Sequence, residues 1–157
     1  MDRTDKKILA ILQTDATIPV ADIARKVGLS TTPCWRRIQK MEEDKVIERR
    51  VAVLNPEKVN VGVTVFVSIK TDKHNGEWLK RFSEVITKMP EVVGFYRMSG
   101  QVDYLLKVVV PDIAAYDLVY KRLVSDIEIE DVSSAFAMER IKDTLEIPLT
   151  YLDVSKS

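Results

Sequence analysis

The stretch that most constrains this chain is Ile23-Ala24-Arg25-Lys26-Val27-Gly28-Leu29-Ser30. Two helices that cross steeply through a short turn need particular residues at particular places. Ala24 is small enough to let the helices approach. Gly28 takes the left-handed conformation of a helix end at no steric cost. Leu29 plugs the angle between the helices, and Ser30 caps the next one. Cys34 and Ile38 then return to pack on Ile23 and Val27. The flanking pattern agrees. A first helix over 2–14 carries the apolar stripe Ile8, Ile11 and Leu12, with Asp2 as cap and Asp5 in its first turn. A second starts at Pro19 and stops at Gly28. A third opens after Ser30-Thr31-Thr32-Pro33, capped by Ser30 or Thr32, and runs to about Asp44. Its inner face is Cys34, Ile38 and Met41. Residues 46–54 read as a strand or hairpin.

Charge bears on what the third helix does. The chain of 157 residues has 24 basic and 24 acidic side chains, so bulk charge binds it to neither nucleic acid nor membrane. Residues 25–40 nevertheless hold Arg25, Lys26, Arg36, Arg37 and Lys40 and no acid. On a helical wheel the side opposite Cys34, Ile38 and Met41 carries Thr32, Arg36, Gln39 and Lys40, with Trp35 on the flank. Such a face can enter a major groove, where Arg reads guanine and Gln reads adenine. The Ser30, Thr31 and Thr32 hydroxyls and the free N–H groups of the first turn suit a phosphate. Arg37 lies nearer the buried side. Arg49 and Arg50 could reach phosphate from the following strand, as a wing. The plain alternative is a solvated helix surface.

After Asn55-Pro56 the pattern becomes βαββαβ: strands over 61–71, 91–98, 102–110 and 132–140, with helices after Asn75 and after Asp112. This is a ferredoxin-like α+β domain with two helices on one face of an antiparallel sheet. The expected organisation is a winged helix-turn-helix over 1–54, a linker over 55–60 and the ferredoxin-like domain over 61–157. The first strand alternates, but the other strands carry apolar residues at both parities, for example Val93 and Phe95 against Val92 and Tyr96, or Leu106 and Val108 against Leu105 and Val109. A sheet apolar on both faces must bury both, and a second copy of the chain is the simplest cover. A two-fold dimer would offer two reading helices to a two-fold DNA site.

Asp5-x-x-Ile8-Leu9-x-x-Leu12, Gly28-Leu29-Ser30-x-Thr32-Pro33-Cys34-x-Arg36-Arg37-Ile38, Leu54-x-Pro56, Gly100-x-x-Asp103-Tyr104-Leu105-Leu106 and Met138-Glu139-x-Ile141-Lys142 together resemble the Lrp/AsnC (leucine-responsive regulatory protein/asparagine regulator) family of prokaryotic transcription factors. The resemblance implies double-stranded DNA as partner, a RAM-type C-terminal domain that senses amino acids, and dimers assembling to tetramers or octamers. It places a small amino-acid effector at Met98, Ser99, Gly100, Gln101, Val102, Asp103 and Tyr104, with Ser133 and Ser134. Asp103 could meet an ammonium and the glycine loop a carboxylate. Gln101 stands where the family often has an acidic residue. Thr32-Pro33-Cys34-Trp35, Glu91-Val92-Val93-Gly94-Phe95 and 133–139 look similar to a cysteine-responsive branch.

Enzyme readings fare badly. One cysteine, one histidine (His74, read as a solvated loop residue) and no glycine-rich phosphate loop leave no triad and no metal or cofactor site. Nor is there an apolar run near the ~20 residues of a membrane span, or a signal-peptide core. A cytoplasmic, nucleoid-associated protein is expected. A module that docks protein through its first half is the remaining alternative.

Overall fold

The computed structural model describes residues 1–72, 75–126 and 129–154. His74 lies outside them. The chain forms two compact units, residues 1–52 with 142–157, and residues 53–141.

The helical unit contains α1 (Arg3–Thr14), α2 (Val20–Val27) and α3 (Thr31–Glu43). Asp2 caps α1, its carboxylate accepting from the Thr4 and Asp5 N–H groups, while Asp5 accepts from the Asp2 N–H in return. Gly28 sits at φ +75°, and the Leu29 N–H closes back on the Ala24 carbonyl at 2.9 Å. Ile8, Leu9, Leu12, Ile23, Ala24, Cys34, Ile38 and Met41 form the buried core. Ser30 is the α3 cap position, so Thr31, Thr32 and Pro33 are its first turn.

One expectation fails in this unit, and one segment groups differently. The expected wing strand over 46–54 is absent; the segment has no regular secondary structure and pairs with no strand among the described residues. Nothing between Val46 and Leu54 supplies the Gly, Asn or Pro of a tight hairpin, and a lone strand has no ladder to join. The C-terminal segment, assigned from sequence to the second domain, groups instead with the helices. Leu149 and Leu152 pack on their core, and the Ile147 N–H donates to Gln13 Oε1 at 3.2 Å.

In the second unit β1 (Val63–Lys70), α4 (Gly76–Thr87), β2 (Val92–Arg97), β3 (Tyr104–Val110), α5 (Ile113–Asp126) and β4 (Asp131–Phe136) follow the expected order. The sheet is antiparallel, in the order β2-β3-β1-β4. Asn75 caps α4 and Asp112 caps α5 through side-chain bonds to Trp78 and Ala115 N–H. Val65, Val67, Ile69, Tyr104, Leu106, Val108 and Val110 face Trp78, Phe82, Ile86, Tyr116, Val119 and Leu123 in one core. β4 stops at Phe136, short of the expected Arg140, because β1 offers no partner beyond its first residues. A bulge at Val93 reverses parity in β2, so Val92 and Phe95 share the helix-covered face while Gly94 and Tyr96 share the other. The expected linker is a compact turn: Asn55 Oδ1 accepts from the Glu57 N–H, and Val61 N–H reaches the Pro56 carbonyl.

Candidate nucleic-acid interface and effector loop

Buried Cys34, Ile38 and Met41 set the inward direction of α3. The 100° step then leaves Thr32, Trp35, Arg36 and Lys40 exposed, as the wheel predicts, while Gln39 is half-buried; Thr31 is exposed beside them. Trp35 is 50% exposed, with nothing of a core tryptophan about it. Trp35, Arg36, Gln39 and Lys40 line one shallow concavity of about 390 Å³ with Glu43 and Asp44. At the start of α3, Pro33 has no N–H, and the Cys34 N–H reaches the Ser30 carbonyl at 3.3 Å. The Thr31 and Thr32 N–H groups are free at the helix start, and the Ser30 side chain makes no capping bond to them.

Two predicted DNA contacts, Arg37 and Gln39, already hold partners within the chain. Arg37 is half-buried and pairs with Asp2 at 2.6 Å and Asp5 at 2.7 Å. The hydrogen bonds it donates to Asp5 and Asp2 raise its pKa above the usual guanidinium value, so it stays charged and tied to α1. Asp2 is held below the usual carboxylate value, first by the Asp5 N–H and then by Arg37. Gln39 is half-buried and donates to Glu42 Oε2 at 3.1 Å. Reading adenine requires its amide to leave that partner. Arg49 is exposed, while its neighbour Arg50 pairs with Glu42 Oε1 at 2.7 Å. Cys34 is fully buried and burial pushes its thiol pKa up, which suits packing and not redox chemistry.

The effector candidates divide in the same way. Gly100 has φ +119° in the β2–β3 loop, which closes with the Met98 N–H on the Asp103 carbonyl at 2.8 Å. Met98, Ser99 and Gln101 are exposed; Val102 and Asp103 are half-buried. Asp103 ties the loop to β1: its N–H meets the Ile69 carbonyl, and its Oδ2 accepts from the Thr71 N–H at 2.9 Å. Tyr104 is a core residue, packed edge-on and tilted among Trp78, Phe82 and Phe95 at 5.1–5.8 Å between ring centroids. Adjacent strand residues face opposite ways. Ser134 therefore points under the helices and bonds the Tyr116 hydroxyl, whereas Ser133 pairs with Ser68 on the open face. β4 is separated from β3 by β1, so the expected neighbouring strand is one strand further away. Ser133 and the loop still lie at the same end of the sheet, since Val132 pairs with Ile69 and Ile69 with Tyr104.

Residues 1–42 match the AsnC-type helix-turn-helix domain and residues 64–147 the Lrp/AsnC ligand binding domain. The chain belongs to the Lrp/AsnC family. It is 49% identical over 150 residues, 95% of this chain and 99% of the relative, to the DNA-binding transcriptional activator DecR of Escherichia coli K12. It is 46% identical to the glutamate uptake regulatory protein of Zymomonas mobilis over 95% of this chain and 91% of that one. Its fold matches an AsnC family transcriptional regulator from Agrobacterium tumefaciens with TM-score 0.94 and 73% identity, covering 97% and 99% of the two chains. A Neisseria meningitidis transcriptional regulator solved as an L-Met complex matches with TM-score 0.92 and 31% identity over the same shares. An Lrp/AsnC chain is a transcriptional regulator and not an enzyme. Among the described residues no helix is long and apolar enough to cross a membrane.

The sequence reading missed the partners of these residues. Asp2 and Asp5 were legible as a cap but not as the anchor of Arg37. The alternation Leu145-x-Ile147-x-Leu149 was the available sign that the C-terminal segment packs on something.

Proposed function

We propose that this Lrp/AsnC regulator reads specific operators with the exposed face of α3 and is switched by a small amino acid bound at the β2–β3 loop. The observation that carries the DNA reading is the sorting of α3: Arg36, Lys40 and Trp35 face solvent in a shallow concavity, while every apolar inner position is buried. Arg36 is the primary base reader. Thr31, Thr32 and Ser30 hold a phosphate at the helix start, and Arg49 reaches a flanking one. Such binding places the protein on the nucleoid, inside the cytoplasm.

A second copy of the chain covers the open face of the sheet, where Phe66 and Tyr96 stand exposed beside Leu105, Lys107 and Ala135. The dimer then assembles to a tetramer or octamer, as the family resemblance implies. The effector lies against Met98–Asp103 and Ser133 of that assembly. Asp103 keeps one oxygen for an ammonium while the other holds Thr71. Cysteine is the first candidate, on the likeness of 32–35, 91–95 and 133–139 to the cysteine-responsive branch. Methionine and glutamate are the rivals, from the complex and the regulator named above.

A thermal-shift series over the twenty amino acids tests the sensor. A ligand at about 100 times its Kd stabilises the folded state by about 2.7 kcal/mol, roughly 5–10 °C for a chain of this size. One or a few amino acids are expected to raise the melting temperature, cysteine foremost, and Asp103→Asn should remove the shift. A flat response to all twenty contradicts the sensing function.

A further inference from the structure

Arg36 and Arg37 are neighbours in sequence with opposite settings. Arg36 is exposed on the outer face of α3. The Arg37 Nη1 donates to Asp2 Oδ2 at 2.6 Å and to Asp5 Oδ1 at 2.7 Å. These aspartates are the reciprocal cap of α1. Asp2 Oδ1 accepts from Thr4 and Asp5 N–H at 2.8 and 2.9 Å, and Asp5 Oδ2 from the Asp2 N–H at 2.8 Å. Each carboxylate thus divides its oxygens the same way: one serves the N-terminus of α1, the other meets Arg37. Two carboxylates so close repel, and the one guanidinium between their outer oxygens offsets that repulsion.

The contact between α1 and α3 is the sparsest of the three helix pairs in this unit. Buried Cys34, Ile38 and Met41 set which face of α3 points inward, but apolar burial is non-directional and leaves the finer rotation about its axis to directional contacts. A charge-assisted hydrogen bond is directional. With 100° between residues, fixing the direction of Arg37 also fixes Arg36, Gln39 and Lys40. We propose that Arg37 is a positioning residue: the Asp2–Arg37–Asp5 fork locks the rotation of α3 against α1 and so aims the reading side chains, without touching DNA itself. This rests on the reading of α3 as the DNA-reading helix.

A phosphate-binding Arg37 would behave in the opposite way, so DNA binding separates the two roles. The probes are duplexes that the wild-type chain selects from a random-sequence pool, and an unselected random duplex. Arg37→Met should lower the ratio of selected to random affinity at least tenfold while leaving the slope of log affinity against log salt unchanged. Asp2→Asn with Asp5→Asn keeps both capping acceptors, so α1 stays capped even if Arg37→Met folds poorly. This double variant should lose the same selectivity, although it removes two negative charges from the DNA-binding unit. Arg37→Lys should restore part of it. If Arg37→Met instead flattens the salt slope by about one unit, or the double aspartate variant binds selected DNA more tightly, Arg37 is a DNA contact and the proposal falls. If Arg37→Met is as selective as wild type, the proposal also falls. A wild-type chain that selects no sequence overturns the DNA-reading function itself.

Discussion

Gly28 holds the turn between α2 and α3 at φ +75°, and a Cβ placed there would meet nothing within 4 Å. The cost of a side chain is therefore backbone strain alone, about 1–2 kcal/mol. Gly28→Ala should lower the unfolding free energy by about that amount in denaturant melts, and Gly28→Asn by less, because Asn tolerates the left-handed region. Equal losses for both would mean that crowding, not φ, selects glycine. This requirement was legible in sequence, because a left-handed helix end acts on its own residue. The roles of Arg36 and Arg37 were not equally legible. The wheel placed Arg37 nearer the core, but its partners lie 35 and 32 residues away, and local periodicity carries no information about them. Tyr104 and Ser134 illustrate the same limit. Loop and strand neighbours share a motif in sequence, while alternation across the sheet sends their side chains to opposite faces.

The segment over 46–50 and the C-terminal segment gain their places from what they pack against. Leu149 and Leu152 close the apolar edge of the helical unit beside Leu9, Leu12 and Ile47 around a cavity of about 350 Å³. Both are only half-buried, so each truncation to alanine should cost about 1–2 kcal/mol, below the 2–5 kcal/mol of a fully buried leucine. In Leu149→Ala/Leu152→Ala, hydrogen exchange of α1 amides should speed up about tenfold or more, with β1 and β3 amides unchanged. Unchanged α1 amides would mean that the segment rests on the helices without supporting them. Helices and strands with strong periodicity were legible to within a few residues. The absent wing, the shortened β4 and the bulge at Val93 were not. Each depends on whether a partner strand exists at that register, which no single segment encodes.

At the level of the molecule, a helix-turn-helix unit and a sheet unit divide the labour between DNA and effector. The chain passes between the units twice, once at residues 52–53 and again at 141–142. Any effector bound at the β2–β3 loop thus has two covalent routes to the reading helix. The two-fold dimer proposed above would give the reading its geometry, offering two copies of α3 to a palindromic site. The most direct test is a titration of a wild-type-selected operator duplex with wild type and Arg36→Ala, following fluorescence anisotropy at several salt concentrations. The wild type should saturate the duplex at an even number of protomers, with affinity that falls steeply as salt rises. Arg36→Ala should lose at least tenfold in preference for the operator over random DNA, in line with about 1–3 kcal/mol per base-reading arginine, while its oligomeric state is unchanged. Wild-type preference retained in Arg36→Ala, or saturation by a single protomer, would contradict this account.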